Sequence, residues 1–118
     1  MNNGDSPFAC DMSAIPARER DAHLATIERL FQSVESVEEV SNGYRFRLSG
    51  DTSVLVLAAE FIALERLCCP FFAFGLELEA EKGAVWLILT GREGVKPFIL
   101  AEIGDHLDGT KIISSRAR

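Results

Sequence analysis

The dipeptide Asn42-Gly43 lies between two short runs in which apolar and polar residues alternate. Asn-Gly is the strongest short signal for a β-hairpin, because both residues tolerate the positive φ angles of a type I′ turn. After the dipeptide, Tyr44, Phe46 and Leu48 share one face of the chain and two arginines take the other. A strand with one buried face needs that alternation. The stretch therefore predicts an antiparallel hairpin.

The second half of the chain repeats this pattern. Residues 74–80 alternate again, Lys82-Gly83 forms a turn signal, and residues 84–90 are apolar on both faces, which is typical of a central strand. A helical segment follows each hairpin, at residues 53–68 and 95–103. We predict an α+β fold with the order α-ββα-ββα. Its one four-stranded antiparallel sheet would have helices packed mainly on one face.

An amphipathic helix over about residues 16–34 precedes the first hairpin. Its predicted apolar stripe follows helical spacing and consists of Leu24, Ile27, Leu30, Phe31 and Val34. With 118 residues, 1–118 is expected to form a single domain with a polar N-terminal arm (1–12) and a folded α+β core (13–118). The arm is expected to dock late or stay mobile.

Charge and apolar runs restrict the class of partner. The net charge of −6 disfavours nucleic acid, which is bound mostly by clustered Lys and Arg. The N-terminus lacks the features of a signal peptide, and the longest apolar run, residues 54–59, is too short for a membrane span. We predict a cytoplasmic protein with reduced thiols and, since three cysteines is an odd number, no closed disulfide framework.

The predicted strand that carries Trp86 has too few polar residues for a face open to solvent. We therefore expect that face to be covered, either by a second copy of the chain in a homodimer or by the arm.

Two adjacent cysteines, Cys68 and Cys69, precede Pro70 at the end of the second predicted helix. Proline disfavours the α conformation of the residue before it, so the helix should end near Cys68 and Cys69 should already turn toward the next strand. Neighbouring helical residues point about 100° apart. The break after Cys68 therefore allows the two sulfur atoms to converge.

The electrostatic setting of these thiols disfavours a nucleophile. A helix C-terminus carries partial negative charge, and Glu65 lies one turn behind both cysteines. Both effects raise a thiol pKa, whereas catalytic cysteines need a lowered one. His23 and His106 lie in distant helical segments, so the sequence shows no Cys-His catalytic arrangement. We therefore expect a non-catalytic protein.

The same surroundings are suitable for a soft metal ion. The charge of a bound ion displaces the thiol proton, and a negative neighbour then stabilises the ion. Cys68 and Cys69 with Cys10 from the arm give three sulfur ligands. Glu65, or a histidine brought in by folding, would complete four ligands for Zn²⁺. Thiolate-rich sets also suit Cu(I) and other thiophilic ions. The predicted metal ligands are Cys10, Cys68, Cys69 and Glu65.

Two other interpretations stay open. Free cysteine often packs as a small apolar residue, which would make this a structural or interaction domain, homodimeric, with inert buried thiols. The third is an enzyme that uses Glu65 with a cysteine in a pocket lined by phenylalanines (Phe71, Phe72 and Phe74).

The motif E-R-x-C-C-P-F-x-x-F at residues 65–74, with W-L at 86–87 and L-T-G-x-x-G-x-x-x-F at 89–98, resembles a group of small uncharacterised bacterial proteins. The resemblance covers most of the chain, from Cys10-x-Met12 to about Ile103. A similar E-x-x-C-C-x-F-x-x-F segment follows the DNA-binding domain of some MerR-type regulators, which respond to metals and other thiophilic agents. The resemblance implies that Cys10, Glu65, Cys68 and Cys69 belong to one pattern. This chain has no helix-turn-helix ahead of the segment, so the resemblance does not imply DNA binding.

Overall fold

The computed structural model describes residues 8–107. It contains three helices and four strands: α1 (Arg20–Gln32), β1 (Val34–Val40), β2 (Gly43–Leu48), α2 (Thr52–Cys68), β3 (Ala73–Leu78), β4 (Val85–Thr90) and α3 (Val95–Ile103). Short 3₁₀ turns span Met12–Ala14, Ala17–Glu19 and Gly104–His106. The order is the predicted α-ββα-ββα. None of the helices in this part of the chain combines the length and apolar character needed to cross a bilayer.

The four strands form one antiparallel sheet in the order β1-β2-β4-β3. The second strands of the two hairpins pair with each other, so that Gly43 lies opposite Thr90 and Leu48 opposite Val85. Each repeat consists of a hairpin followed by a helix. The two repeats join through their second strands, β2 and β4, and this produces the observed strand order. The prediction that the second apolar strand is central is confirmed, because β4 lies between β2 and β3.

The two hairpin turns differ from the turn chemistry that the sequence predicts. Gly43 is already the first residue of β2, and neither Asn42 nor Gly43 has a positive φ, so the type I′ turn predicted there is wrong. Glycine is needed at 43 for a different reason: a Cβ would lie 1.9 Å from the carbonyl oxygen of Leu89. Positive φ angles of 61° occur instead at Glu81 and Lys82 in the second turn.

The core lies between the helices and the inner face of the sheet. Its largest fully buried side chains include Phe31 of α1, Phe46 of β2 and Phe61 of α2, whose rings meet edge to face. The predicted stripe of α1 needs two corrections. Val34 lies outside the helix, because α1 ends at Gln32 and Val34 is the first residue of β1. Leu24 is 50% exposed, and the neighbouring His23 is buried instead. His23 lies seven residues before Leu30, which places it on the inward side of the helix.

The outer face of the sheet is covered by its own side chains. The Arg45 guanidinium lies 3.9 Å from the ring centroid of Trp86, and Trp86 Nε1–H donates to Glu79. Trp86 is therefore only 4% exposed. Residues 8–12, the described part of the arm, lie against the end of α2. Residues 1–7, the rest of the arm, fall outside the described residues.

Candidate functional site

The C-terminal end of α2 has the geometry that the Cys-Cys-Pro sequence predicts. Cys68 is the last helical residue, and Cys69 leaves the helix with φ −125° and ψ 71°. The Cys69 N–H donates to the Glu65 carbonyl oxygen over 2.7 Å, which ties the outgoing chain to the last turn. As a result the two adjacent sulfur atoms converge, with Cys68 Sγ 3.7 Å from Cys69 Sγ.

The N-terminal arm docks against this helix end. The Asp11 N–H donates to the Cys68 carbonyl oxygen over 2.9 Å, so the arm satisfies one of the carbonyls that a helix C-terminus leaves without a partner. Phe8 anchors the contact by packing on Phe71 and Phe98, at centroid distances of 5.2 and 5.9 Å. Residues 8–11 are thus part of the packed domain, and they bring the first cysteine to the other two.

The three sulfur atoms form one cluster. Cys10 and Cys69, 59 residues apart in the chain, form a disulfide with their Cα atoms 4.6 Å apart, while Cys68 is a buried free thiol. All three Sγ atoms lie within 4.8 Å of one another. The expectation of no disulfide is therefore corrected. An odd number of cysteines still permits one disulfide beside a free thiol, and docking of the arm supplies the necessary proximity.

Glu65 connects this cluster to a histidine. Its Oε2 lies 3.3 Å from Cys69 Sγ, and its Oε1 lies 2.8 Å from His23 Nε2. Whenever the Glu65 carboxylate is ionised it only accepts hydrogen bonds, and the proton shared with His23 is then on Nε2. The side chains of Glu65 and His23 are 7% and 0% exposed. His23 Nδ1 has no hydrogen-bond partner among residues 8–107.

Local sequence patterns do not identify His23 as a neighbour of the thiols. It lies 42 residues from Glu65, and no local pattern pairs the two positions. The usable signal was its spacing from Leu30 and Phe31 on α1, which puts an ionisable side chain on the buried stripe. A buried ionisable group needs a partner, and Glu65 is the buried carboxylate on the helix that packs beside α1.

Burial and the nearby Glu65 carboxylate raise the pKa of the Cys68 thiol to about 11. The Asp11 backbone N–H lowers this pKa, whereas the negative charges of Glu102 and Asp11 raise it further. The thiol is therefore protonated at neutral pH, as the helix C-terminus and Glu65 predict. A protonated thiol is a weak nucleophile, which disfavours the enzyme interpretation.

The arrangement supports two kinds of chemistry: formation and opening of the Cys10–Cys69 disulfide and, once it is open, binding of a thiophilic ion by three sulfur atoms. No protein-family model, no curated protein and no solved structure matches the chain. The chemistry of this cluster is therefore the basis for assigning a function.

Proposed function

We propose that the reduced protein is a non-catalytic cytoplasmic domain that binds or senses a soft metal ion through Cys10, Cys68 and Cys69. The observation that carries the proposal is the convergence of three sulfur atoms, from two distant segments, within 4.8 Å of one another. Thiolates bound tetrahedrally at about 2.3 Å lie about 3.8 Å apart. Cys68 Sγ and Cys69 Sγ already have this separation, at 3.7 Å, and opening of the disulfide would free Cys10 Sγ to move to it. The resemblance to a segment of metal-responsive MerR-type regulators supports the same assignment.

The disulfide has to be opened before three thiols are available. A trialkylphosphine achieves this: it becomes the phosphine oxide, and water supplies the oxygen and the two thiol protons. Because a phosphine is itself a soft ligand, the excess is removed anaerobically by desalting before any metal is added. In the cytoplasm, the thiol pools that keep cysteines reduced would favour the open form. Oxidation of Cys10 and Cys69 would withdraw two of the three ligands, so metal binding and disulfide formation exclude each other.

Glu65 belongs to the proposed site because its Oε2 is already next to Cys69 Sγ. His23 holds the other carboxylate oxygen. Hydrogen bonds of this kind orient carboxylates at metal centres and tune the basicity of the ligands. When Cys69 is a thiol, the same Oε2 is positioned to accept its proton, which metal binding must displace.

The test is a titration of the phosphine-reduced protein with Zn²⁺, Cu(I) and Hg²⁺, compared with the oxidised protein and with the Cys68→Ser/Cys69→Ser variant. We expect one ion per reduced chain, little binding by the oxidised protein and no stoichiometric binding by the variant. Circular dichroism checks that the variant is folded. A double variant that binds as well as the parent would rule the proposal out.

Metal affinity should also rise with pH. The Cys68 pKa of about 11 means that this thiol holds its proton throughout the neutral range, so the ion competes with that proton. Each proton displaced makes the apparent affinity up to about tenfold tighter per pH unit between about pH 6 and pH 9. Competition titrations at several pH values measure the slope, and a slope of zero would contradict thiol coordination.

The alternative is an interaction domain, homodimeric, with inert thiols. One observation favours it: apolar side chains face solvent on the two adjacent helices α1 and α2, with Leu24 50% exposed, Val56 52% and Leu67 39%. Light scattering after size exclusion measures the oligomeric state. Reaction of the reduced protein with a chromogenic disulfide reagent separates the two functions, because inert thiols would all react slowly in the native fold.

A further inference from the structure

A fourth sulfur atom borders the cysteine cluster. Met12 Sδ lies 3.8 Å from Cys68 Sγ. Met12 follows Cys10 by two residues and opens a 3₁₀ turn that Asp11 caps, its carboxylate accepting from the Ser13 N–H over 3.0 Å. The Asp11 N–H also bonds to the carbonyl oxygen of Cys68. The contacts that hold Cys10 at the helix end therefore hold the Met12 thioether there as well.

The thioether distinguishes between the metals that three thiolates alone would accept. Zinc sites in proteins use thiolate, imidazole and carboxylate ligands. Thioether sulfur is soft and selects Cu(I). The separation of 3.8 Å between Met12 Sδ and Cys68 Sγ matches that of two ligands about 2.3 Å from a shared tetrahedral ion.

The charge around the cluster also favours a neutral fourth donor. Glu65 and Glu102 both act electrostatically on the Cys68 thiol. Three thiolates add further negative charge to a mostly buried site, and another anionic ligand would increase the repulsion. A thioether contributes a soft lone pair without charge, and Met12 is packed against the apolar core, where an anion would be costly.

We propose that the ion bound by this cluster is Cu(I), and that Met12 Sδ supplies the fourth sulfur beside Cys10, Cys68 and Cys69. This inference rests on the proposed function and deepens it by naming the ion and the residue that selects it. In this arrangement Glu65 stays off the copper, between Cys69 and His23, and orients the thiolate.

The first test compares the parent and Met12→Leu, a change that keeps the size and apolar character of the side chain. Both are reduced with phosphine and titrated with Cu(I) against a chromogenic Cu(I) chelator, and in parallel with Zn²⁺. We expect Met12→Leu to weaken Cu(I) binding by at least about 10-fold, because loss of a direct ligand should cost no less than loss of a partner that only orients one. Zn²⁺ affinity should stay unchanged, which shows that the cysteine cluster is intact.

The second measurement detects the ligands of the copper ion directly. The chain contains two methionines. Selenomethionine protein loaded with Cu(I) should show a copper–selenium distance in its X-ray absorption spectrum, and the same protein carrying Met12→Leu should lose it.

The outcomes separate the two proposals. Stoichiometric Cu(I) binding that is insensitive to Met12→Leu, or a copper site without a selenium neighbour, would overturn the role of Met12 and leave the thiol site standing. A reduced parent that binds no soft ion would overturn both.

Discussion

The end of α2 and the outer face of the sheet both bring a carboxylate to a nitrogen-bearing side chain, but in different surroundings. Glu65 and His23 are almost completely buried. On the outer face, Arg45 Nε donates to Glu38 over the same 2.8 Å, yet these two side chains are 32% and 40% exposed. Solvated pairs contribute at most about 1 kcal/mol, whereas removal of one partner from a buried pair costs several.

The difference bears on function. Apolar residues of similar size often stabilise a core as well as a buried ionic pair does, so stability alone is a weak reason for Glu65 and His23 to lie between α1 and α2. Their position beside Cys69 supplies a better one, because the carboxylate can handle the proton of a thiol or orient a thiolate. The outer face has no such neighbour, and its ion pairs cover Trp86. Three predictions test this contrast.

The largest loss of stability should come from removal of the disulfide that links the arm to the end of α2. Cys10→Ser opens a loop whose ends are 59 residues apart. The loop-entropy relation predicts a loss of about 4 kcal/mol in the free energy of unfolding. Denaturant titrations without reductant and with a chelator present measure it. Cys68→Ser is the matched control, since it leaves the disulfide in place; equal losses in the two variants would contradict the prediction.

The second-largest loss of stability should come from breaking the buried pair. His23→Leu places an apolar side chain of similar size against Phe61 but leaves the Glu65 carboxylate without its nitrogen partner. We expect a loss of about 3 kcal/mol. Leu24→Ala, at the exposed neighbouring position, should change stability by about 0.5 kcal/mol or less. If His23→Leu is as mild as this control, the pair is not the buried ionic contact that separates the two regions.

Local sequence patterns predict most of the fold but little of the candidate site. The strand alternation around Phe46, the apolar strand that carries Trp86 and the break at Pro70 each depend on neighbours within a few residues. For this reason the element order, the central strand and the end of α2 could be predicted. The details of the hairpin turn could not, because Gly43 is required by contact with β4, a strand distant in the chain.

The site itself depends on contacts between distant segments. Proline and a helix end predict that two sulfur atoms converge, and the resemblance adds Cys10 to the same pattern. Neither indicates that Cys10 reaches Cys69 closely enough for a disulfide, that His23 turns inward to Glu65, or that Met12 arrives with the arm. These contacts follow from how α1 and the arm pack on α2, which short-range periodicity does not encode.

The smallest effect is expected on the outer face of the sheet. Arg45→Met removes the guanidinium above Trp86 and its pairs with Glu38 and Glu77, and should cost about 1 kcal/mol or less. High salt should shrink the difference from the parent, because exposed pairs are screened. The chain has a single tryptophan, so its fluorescence reports on this face alone, and emission should shift to longer wavelength as the ring gains solvent.

Arg47→Met is the matched control for this change. Its guanidinium lies 5.9 Å from the same ring, and its pair with Glu35 is about half exposed, so both the stability loss and the fluorescence shift should be smaller. A loss at Arg45 as large as that of His23→Leu would remove the contrast between the two regions. The outer face would then carry as much of the stability as the buried pair beside the sulfur atoms, and burial alone would no longer separate them.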